Sequence, residues 1–231
     1  MDDLPQASPL VRGIFIGLPV VMALLLAVAV HVQARLGPPA ALALALWMGL
    51  TGALASSGLL FHFDPPRIVA LFALTLGVVA WSWRARWGEA LSGLPLGLLV
   101  GFQCFRIVVE IGIHQAALEG IAPRVMTWEG QNLDIVTGVS ALLLAPFASR
   151  LPSWVLRGWN AICAGILVVV LVTAVLATPG PLRLIETQPS NAWVSTFPFV
   201  WLPTVLVLVA LVGHVVLARR LARRGDRDGL R

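Results

Sequence analysis

Residues 91–119 read LSGLPLGLLVGFQCFRIVVEIGIHQAALE, and this stretch decides the fold. It is apolar enough to enter a bilayer, yet it carries Gln103, Arg106, Glu110 and His114. At about 100° per residue these four fall within roughly an 80° arc of one helix face. A charge near the bilayer centre costs about 2.5–3.5 kcal/mol on insertion scales, so such residues face a bundle interior or water. Arg106 and Glu110 stand at i and i+4, a spacing that predicts an ion pair between them. Other helices are therefore expected to surround this face.

The rest of the composition agrees. Of 231 residues, 58% are hydrophobic and 12% charged, and the mean hydropathy is +0.90. This is the composition of a multi-pass membrane protein with the lipid bilayer as its first partner. There is no lysine, so all 16 basic residues are arginine. The net charge of +5 does not imply a nucleic-acid partner, because the excess sits mostly in the last 13 residues, beside an apolar span. Cys104 and Cys163 lie in apolar runs and read as small core residues rather than disulfide or zinc ligands. The N-terminal stretch MDDLPQASPLVR lacks the basic n-region of a signal peptide, so the first apolar run is expected to be retained.

Seven apolar runs of helical length follow, at about 13–32, 40–61, 68–83, 91–119, 133–149, 154–177 and 197–218. This predicts an all-α, polytopic transmembrane bundle of about seven spans. One domain covers 1–218, and a basic cytoplasmic tail covers 219–231. Pro19 interrupts the first run, which membrane helices tolerate. His62-Phe63-Asp64-Pro65-Pro66 breaks the chain, and residues 178–196, with four scattered prolines and glycines, read as a long loop. Trp81, Trp83 and Trp87 beside Arg84 and Arg86 suit an interfacial belt, as do Trp193 and Trp201.

Arginine counting gives the orientation. With seven spans and a cytoplasmic C-terminus, the inner side holds Arg35, Arg84, Arg86, Arg150, Arg157 and the tail arginines, whereas the outer side holds only Arg12, Arg67, Arg124 and Arg183. The acidic residues Asp2, Asp3, Asp64, Glu119, Glu129, Asp134 and Glu186 fall outside. This places the protein in a cell membrane of the bacterial inner-membrane type, N-terminus outside. Counted from Leu91, Arg106 is expected about 22 Å along its helix, in the outer half of a core about 30 Å thick.

The connector at 121–138, IAPRVMTWEGQNLDIVTG, is dense in polar residues. Gly130 permits a positive φ directly after Glu129, so a tight turn is expected there. Thr127 or Asn132 can cap a helix, with Asp134 at its positive end. Alternatively, Glu129, Asn132 and Asp134 face Arg106, Glu110 and His114 across an outer pocket. Arg106 then binds a small anionic group, with Glu110, His114, Asn132 and Asp134 as further ligand contacts, and Glu110 and His114 exchange a proton. Glu110 and His114, one turn apart, can also bind one divalent metal ion with Asp134 as third ligand. Glu129 would then act as a general base, which makes Glu110, His114, Glu129 and Asp134 the candidate catalytic residues. His62 and Asp64 fall on the same side. His31 and His214 read as interfacial or core, and Asn160 as the donor of an interhelical hydrogen bond. No GxGxxG, P-loop, GxSxG, HExxH or HxxxH motif is present, and neither Ser140 nor Ser149 has an obvious base.

Taken together, the R-x3-E-x3-H helix (Arg106, Glu110, His114), the MTWEGQNLDI segment and the FPFVWLP start of the last run resemble an uncharacterised family of small bacterial multi-pass membrane proteins. The likeness covers about 101–221. It implies the topology and points to the same residues, without a mechanism. The seven-helix zinc hydrolases related to alkaline ceramidase differ: their paired histidines in the last helix are absent, and only His214 stands there. Three roles are therefore carried forward. They are transport or sensing of a small solute or proton, a metal-dependent membrane hydrolase, and a structural role in which the polar cluster only fixes packing.

Overall fold

Ser8 opens the first helix. Its hydroxyl accepts the backbone N–H of Val11 at 3.3 Å, and Pro9 fills the first turn, where an N–H would lack a partner anyway. The computed structural model describes residues 6–228 and is all-helical. Asp2, Asp3 and Arg231, which entered the charge count, lie outside the described residues. The helices are α1 (Pro9–Ala34), α2 (Gly37–Ser56), α3 (Arg67–Ser82), α4 (Arg86–Leu91), α5 (Leu96–Gly101), α6 (Arg106–Leu118), α7 (Asp134–Leu144), α8 (Ser153–Ala177) and α9 (Val207–Asp228). A 3₁₀ turn at Phe102–Phe105 joins α5 to α6, and a π turn at Leu202–Leu206 leads into α9. Pro203 has no N–H to donate, which favours the irregular ladder there.

Among the described residues, five helices are long and apolar enough to cross a membrane: Pro9–Ala34, Pro38–Ser56, Leu96–Leu118, Ser153–Ala177 and Leu202–Arg224. The remaining two of the seven apolar runs form shorter helices, Arg67–Ser82 and Asp134–Phe147. The outer faces carry Leu24, Val28, Leu46, Leu143, Ile162 and Val169, while Gln103, Arg106, Glu110, Asn132, Asp134, Asn160 and His214 are buried. This inverts the soluble pattern and suits a lipid surround.

The organising helix begins later than its hydropathy suggests. Leu91 ends the separate helix α4, and the continuous helix starts at Leu96, after Pro95. Arg106 therefore lies about 15 Å from the start of a helix about 35 Å long, near its middle.

The connector explains why α7 is short. Gly120 takes φ 74°, and the N–H of Ile121 returns to the carbonyl of Ala116 at 2.9 Å, ending α6 in a Schellman turn. The positive φ expected at Gly130 is thus at Gly120. Gly130 is required for another reason: a Cβ there would stand 2.6 Å from the Arg124 carbonyl oxygen. The chain then descends along α6 and starts α7 at Asp134, level with Arg106. Close packing sets that level, since a Cβ on Gly138 would fall 2.9 Å from the backbone nitrogen of Ile107. Gly138→Leu should therefore push α7 off α6 and cost about 1–3 kcal/mol by overpacking. A melt in detergent micelles checks this, and an unchanged midpoint would contradict the close approach.

Two ends can be distinguished. At one, the backbone N–H of Ser8 donates to Glu119 at 2.9 Å, and Gly180 lies against the Phe63 carbonyl. Partial burial acts to raise the Glu119 pKa, but hydrogen bonds from Ser8 and Gln115 outweigh it and hold the carboxyl below the usual range. At the other end, α9 continues past residue 219, the expected start of the tail. Arg219 and Arg223 both pair with Glu89, and Arg157 donates to the Leu221 carbonyl at 2.7 Å.

The segment 178–196 is not only a loop. Residues 191–196 are buried and include a 3₁₀ turn, Asn191–Ser195. Asn191 donates to the Ala174 carbonyl at 2.9 Å, satisfying one of the free acceptors at the end of α8. Trp193 is fully buried, packs edge-on against Phe15 and Phe199, and donates to the Asn191 side chain at 2.8 Å. It belongs to the core and not to an interfacial belt. Trp201 instead donates to the Met48 carbonyl at 3.1 Å, between helices.

Candidate functional site

Arg106 projects from the first turn of α6 and is 1% exposed. Its expected partner was Glu110. Its actual partner is Asp134, whose Oδ1 accepts from Nη1 at 2.8 Å. The i,i+4 pair does not form because the N-terminus of α7 arrives at the same depth. Asp134 in the first turn of α7 also favours the positive end of that helix.

Glu110, one turn further on, is held by Asn132. The Asn132 amide donates to both carboxyl oxygens, at 2.9 and 2.8 Å, and to the Met126 carbonyl at 2.9 Å. Its Oδ1 accepts the backbone N–H of Asp134 at 3.0 Å. Asn132 thus ties the connector to α6 and α7 together. Around it sit one guanidinium and two carboxyl groups, so a single proton on the carboxyls leaves the cluster neutral.

The cluster forms one end of a cavity of about 90 Å³. The remaining wall is largely apolar, from α3 (Ile68, Phe72), α8 (Leu171, Val175), the buried Trp193 and the π turn (Leu206). Arg106 lines this cavity, and its Nε and Nη2 are buried without a hydrogen-bond partner. Those two atoms share one edge of the planar guanidinium. Their N–H groups run parallel and match the two oxygens of a carboxylate or phosphate. A buried donor left unpaired costs about 1–3 kcal/mol, so the free edge needs explaining.

Arg106, Glu110, Asn132 and Asp134 are therefore brought together, as one of the readings of the connector expects. His114 and Glu129 do not join them. The His114 ring stacks on Trp128 with centroids 4.1 Å apart and planes 17° apart, and neither ring lines the cavity. Glu129 is exposed, as are His62 and Asp64. Among the described residues, no three His, Cys, Asp or Glu side chains are placed to hold a metal ion. The set of Glu110, His114 and Asp134 does not assemble for a physical reason: Asn132 holds Glu110, Arg106 holds Asp134, the His114 ring is stacked away on Trp128, and Arg106 puts a positive charge where a cation would sit.

Nearer the arginine-rich end the interhelical bond expected of Asn160 is present. Its amide donates to the His214 carbonyl at 3.2 Å, and its Oδ1 lies 2.8 Å from His214 Nδ1. Gln103 donates to the Ala210 carbonyl at 3.2 Å. Sequence reasoning missed Asn191 and Trp193 as parts of the cavity wall. The available signal was an amide and an indole two residues apart in a segment otherwise judged by its prolines. No family, no curated protein and no solved structure matches this chain.

Proposed function

We propose that this protein is a seven-span inner-membrane protein, with its N-terminus outside, that binds a small oxyanion together with a proton at mid-membrane depth, in transport or sensing. The observation that carries this reading is that Arg106 lines the cavity and leaves Nε and Nη2 without a hydrogen-bond partner, while its Nη1 is paired to Asp134. The orientation is supported by the gathering of Arg157, Arg219 and Arg223 at one end and of Ser8 and Glu119 at the other. In this reading α3 and α7 complete the seven crossings, and the descending connector supplies what α7 lacks in length. A broken helix whose N-terminus ends at a mid-membrane polar site is a recurring arrangement for anion binding in transporters. The buried Gln103, Asn160 and His214 give the inner half further polar groups, which favours passage over sensing alone.

Charge balance assigns the proton to Glu110. With Glu110 ionised the cluster carries one net negative charge; an arriving anion adds a second, and a proton taken up on Glu110 keeps the total unchanged. Titration calorimetry with acetate in two buffers of different ionisation enthalpy tests this. Wild-type protein should bind saturably and take up about one proton per acetate. Glu110→Gln should bind without proton uptake, and the folded double variant Arg106→Leu/Asp134→Leu should not bind. Equal binding by that double variant would sink the reading.

A further inference from the structure

Building on that oxyanion site, we infer that its ligand is a single-chain carboxylic acid that enters sideways from the bilayer between α3 and α8, with its head on Arg106 and its tail left among the lipids. Four observations converge. The free Nε–Nη2 edge of Arg106 is a two-pronged donor suited to a carboxylate. Away from that edge the cavity is almost wholly apolar, so a ligand that fills it has a polar head and a hydrocarbon body. The cavity is also placed for lateral entry: α3 and α8 each pack along α9 and make no comparable contact with each other. Phe72 on α3 and Leu171 and Val175 on α8 are cavity-lining and partly exposed, and so form a mouth on the lipid-facing side.

Size decides between a swallowed ligand and a protruding one. The cavity holds about 90 Å³, less than the ~150 Å³ of an engineered cavity that accommodates benzene. It takes a head and a few methylenes, not a whole lipid and not a two-chain glycerophosphate. The rest of a longer chain lies outside the mouth in hydrocarbon, where it costs nothing to leave it. Charge balance favours the same ligand. A carboxylic acid crosses from lipid as the neutral acid and brings its own proton, which it shares with Glu110 on arrival. The Arg106–Asp134 pair and the Glu110–Asn132 bonds then face a ligand that adds no net charge.

The test uses the full chain in nanodiscs and a series from acetate through butanoate to hexanoate. Apolar burial predicts that affinity rises about fourfold per added methylene over this range. If hexanoate binds no tighter than acetate, the oxyanion site stands and the amphiphile inference falls. If none of them binds, both fall. A second arm uses decanoate with a photoreactive diazirine at its last carbon. Labelling should concentrate on the α3 and α8 positions around the mouth and disappear in Arg106→Leu/Asp134→Leu. Labelling spread evenly over the lipid-facing helices, or unchanged in that folded variant, would overturn lateral entry. Nanodiscs containing lysophosphatidic acid provide the phosphate-headed competitor. Its displacement of decanoate more strongly than hexanoate does would overturn the carboxylate assignment.

Discussion

Asp134→Ala should cost about 3–5 kcal/mol of stability, because it leaves the Arg106 charge buried and unpaired. Arg106 is 1% exposed and Asp134 5% exposed, so neither can turn to water without unpacking α7. The alanine removes the acceptor 2.8 Å from Nη1, and that donor then joins Nε and Nη2 as a third unsatisfied nitrogen. Glu110 does not substitute for Asp134, since Asn132 holds both its oxygens. The double variant Arg106→Leu/Asp134→Leu should recover most of the loss, because apolar replacement of a whole buried pair is often neutral or stabilising. Unfolding midpoints of wild type, Arg106→Leu, Asp134→Leu and the double variant in one detergent form a double-mutant cycle that measures the coupling. A single variant as stable as wild type would mean that the pair does not hold α7 in place.

Trp193→Ala should cost a similar amount, about 3–5 kcal/mol, for a different reason. The indole is wholly buried between Phe15 and Phe199, with ring centroids 5.7 and 4.9 Å away. Its loss enlarges the existing cavity and removes the donor that satisfies Asn191 Oδ1. Asn191 in turn binds Ala174 at the end of α8, so the damage extends from the 191–196 segment to that helix end. Trp193→Phe keeps most of the packing and should lose less, about 1–2 kcal/mol, because it leaves the buried Asn191 oxygen without its donor. Limited proteolysis distinguishes the two: the alanine variant should be cut within 178–196 under conditions that leave the phenylalanine variant intact. Equal resistance in both would mean that Trp193 does not anchor the segment.

The polar face of α6 was legible in the sequence because it depends only on helical period and on the cost of charge in lipid. Its partners were half legible. Asn132 and Asp134 could be singled out from the density of polar residues in the connector. That Asp134 and not Glu110 takes Arg106 could not be read, because it follows from the close approach of Gly138 to Ile107, a contact between distant parts of the chain. Hydropathy found seven apolar runs but overran two of them: 91–119 begins before its helix starts at Leu96, and 40–61 continues past the end of α2 at Ser56. It measures how far apolar residues extend and not where the backbone turns. Trp193 was misread for a related reason. An aromatic residue near a predicted helix end resembles an interfacial anchor, and nothing local shows that side-chain bonds from Asn191 carry the chain back into the bundle.

The brevity of α3 has a consequence for the membrane itself. Its 16 residues cover about 24 Å at 1.5 Å per residue, against a hydrocarbon core about 30 Å thick. A helix too short for its bilayer draws the two leaflets together around it, at a cost of fractions of a kcal/mol per Å of mismatch. Should α3 span as proposed, lipids beside it form a thinned annulus on one flank only. The protein would then favour thinner bilayers and short-chain lipids, and its melting temperature would fall as acyl chains of the surrounding lipid lengthen. That flank is also where α3 faces α8, so bilayer thickness would set how far a headgroup must descend to reach Arg106.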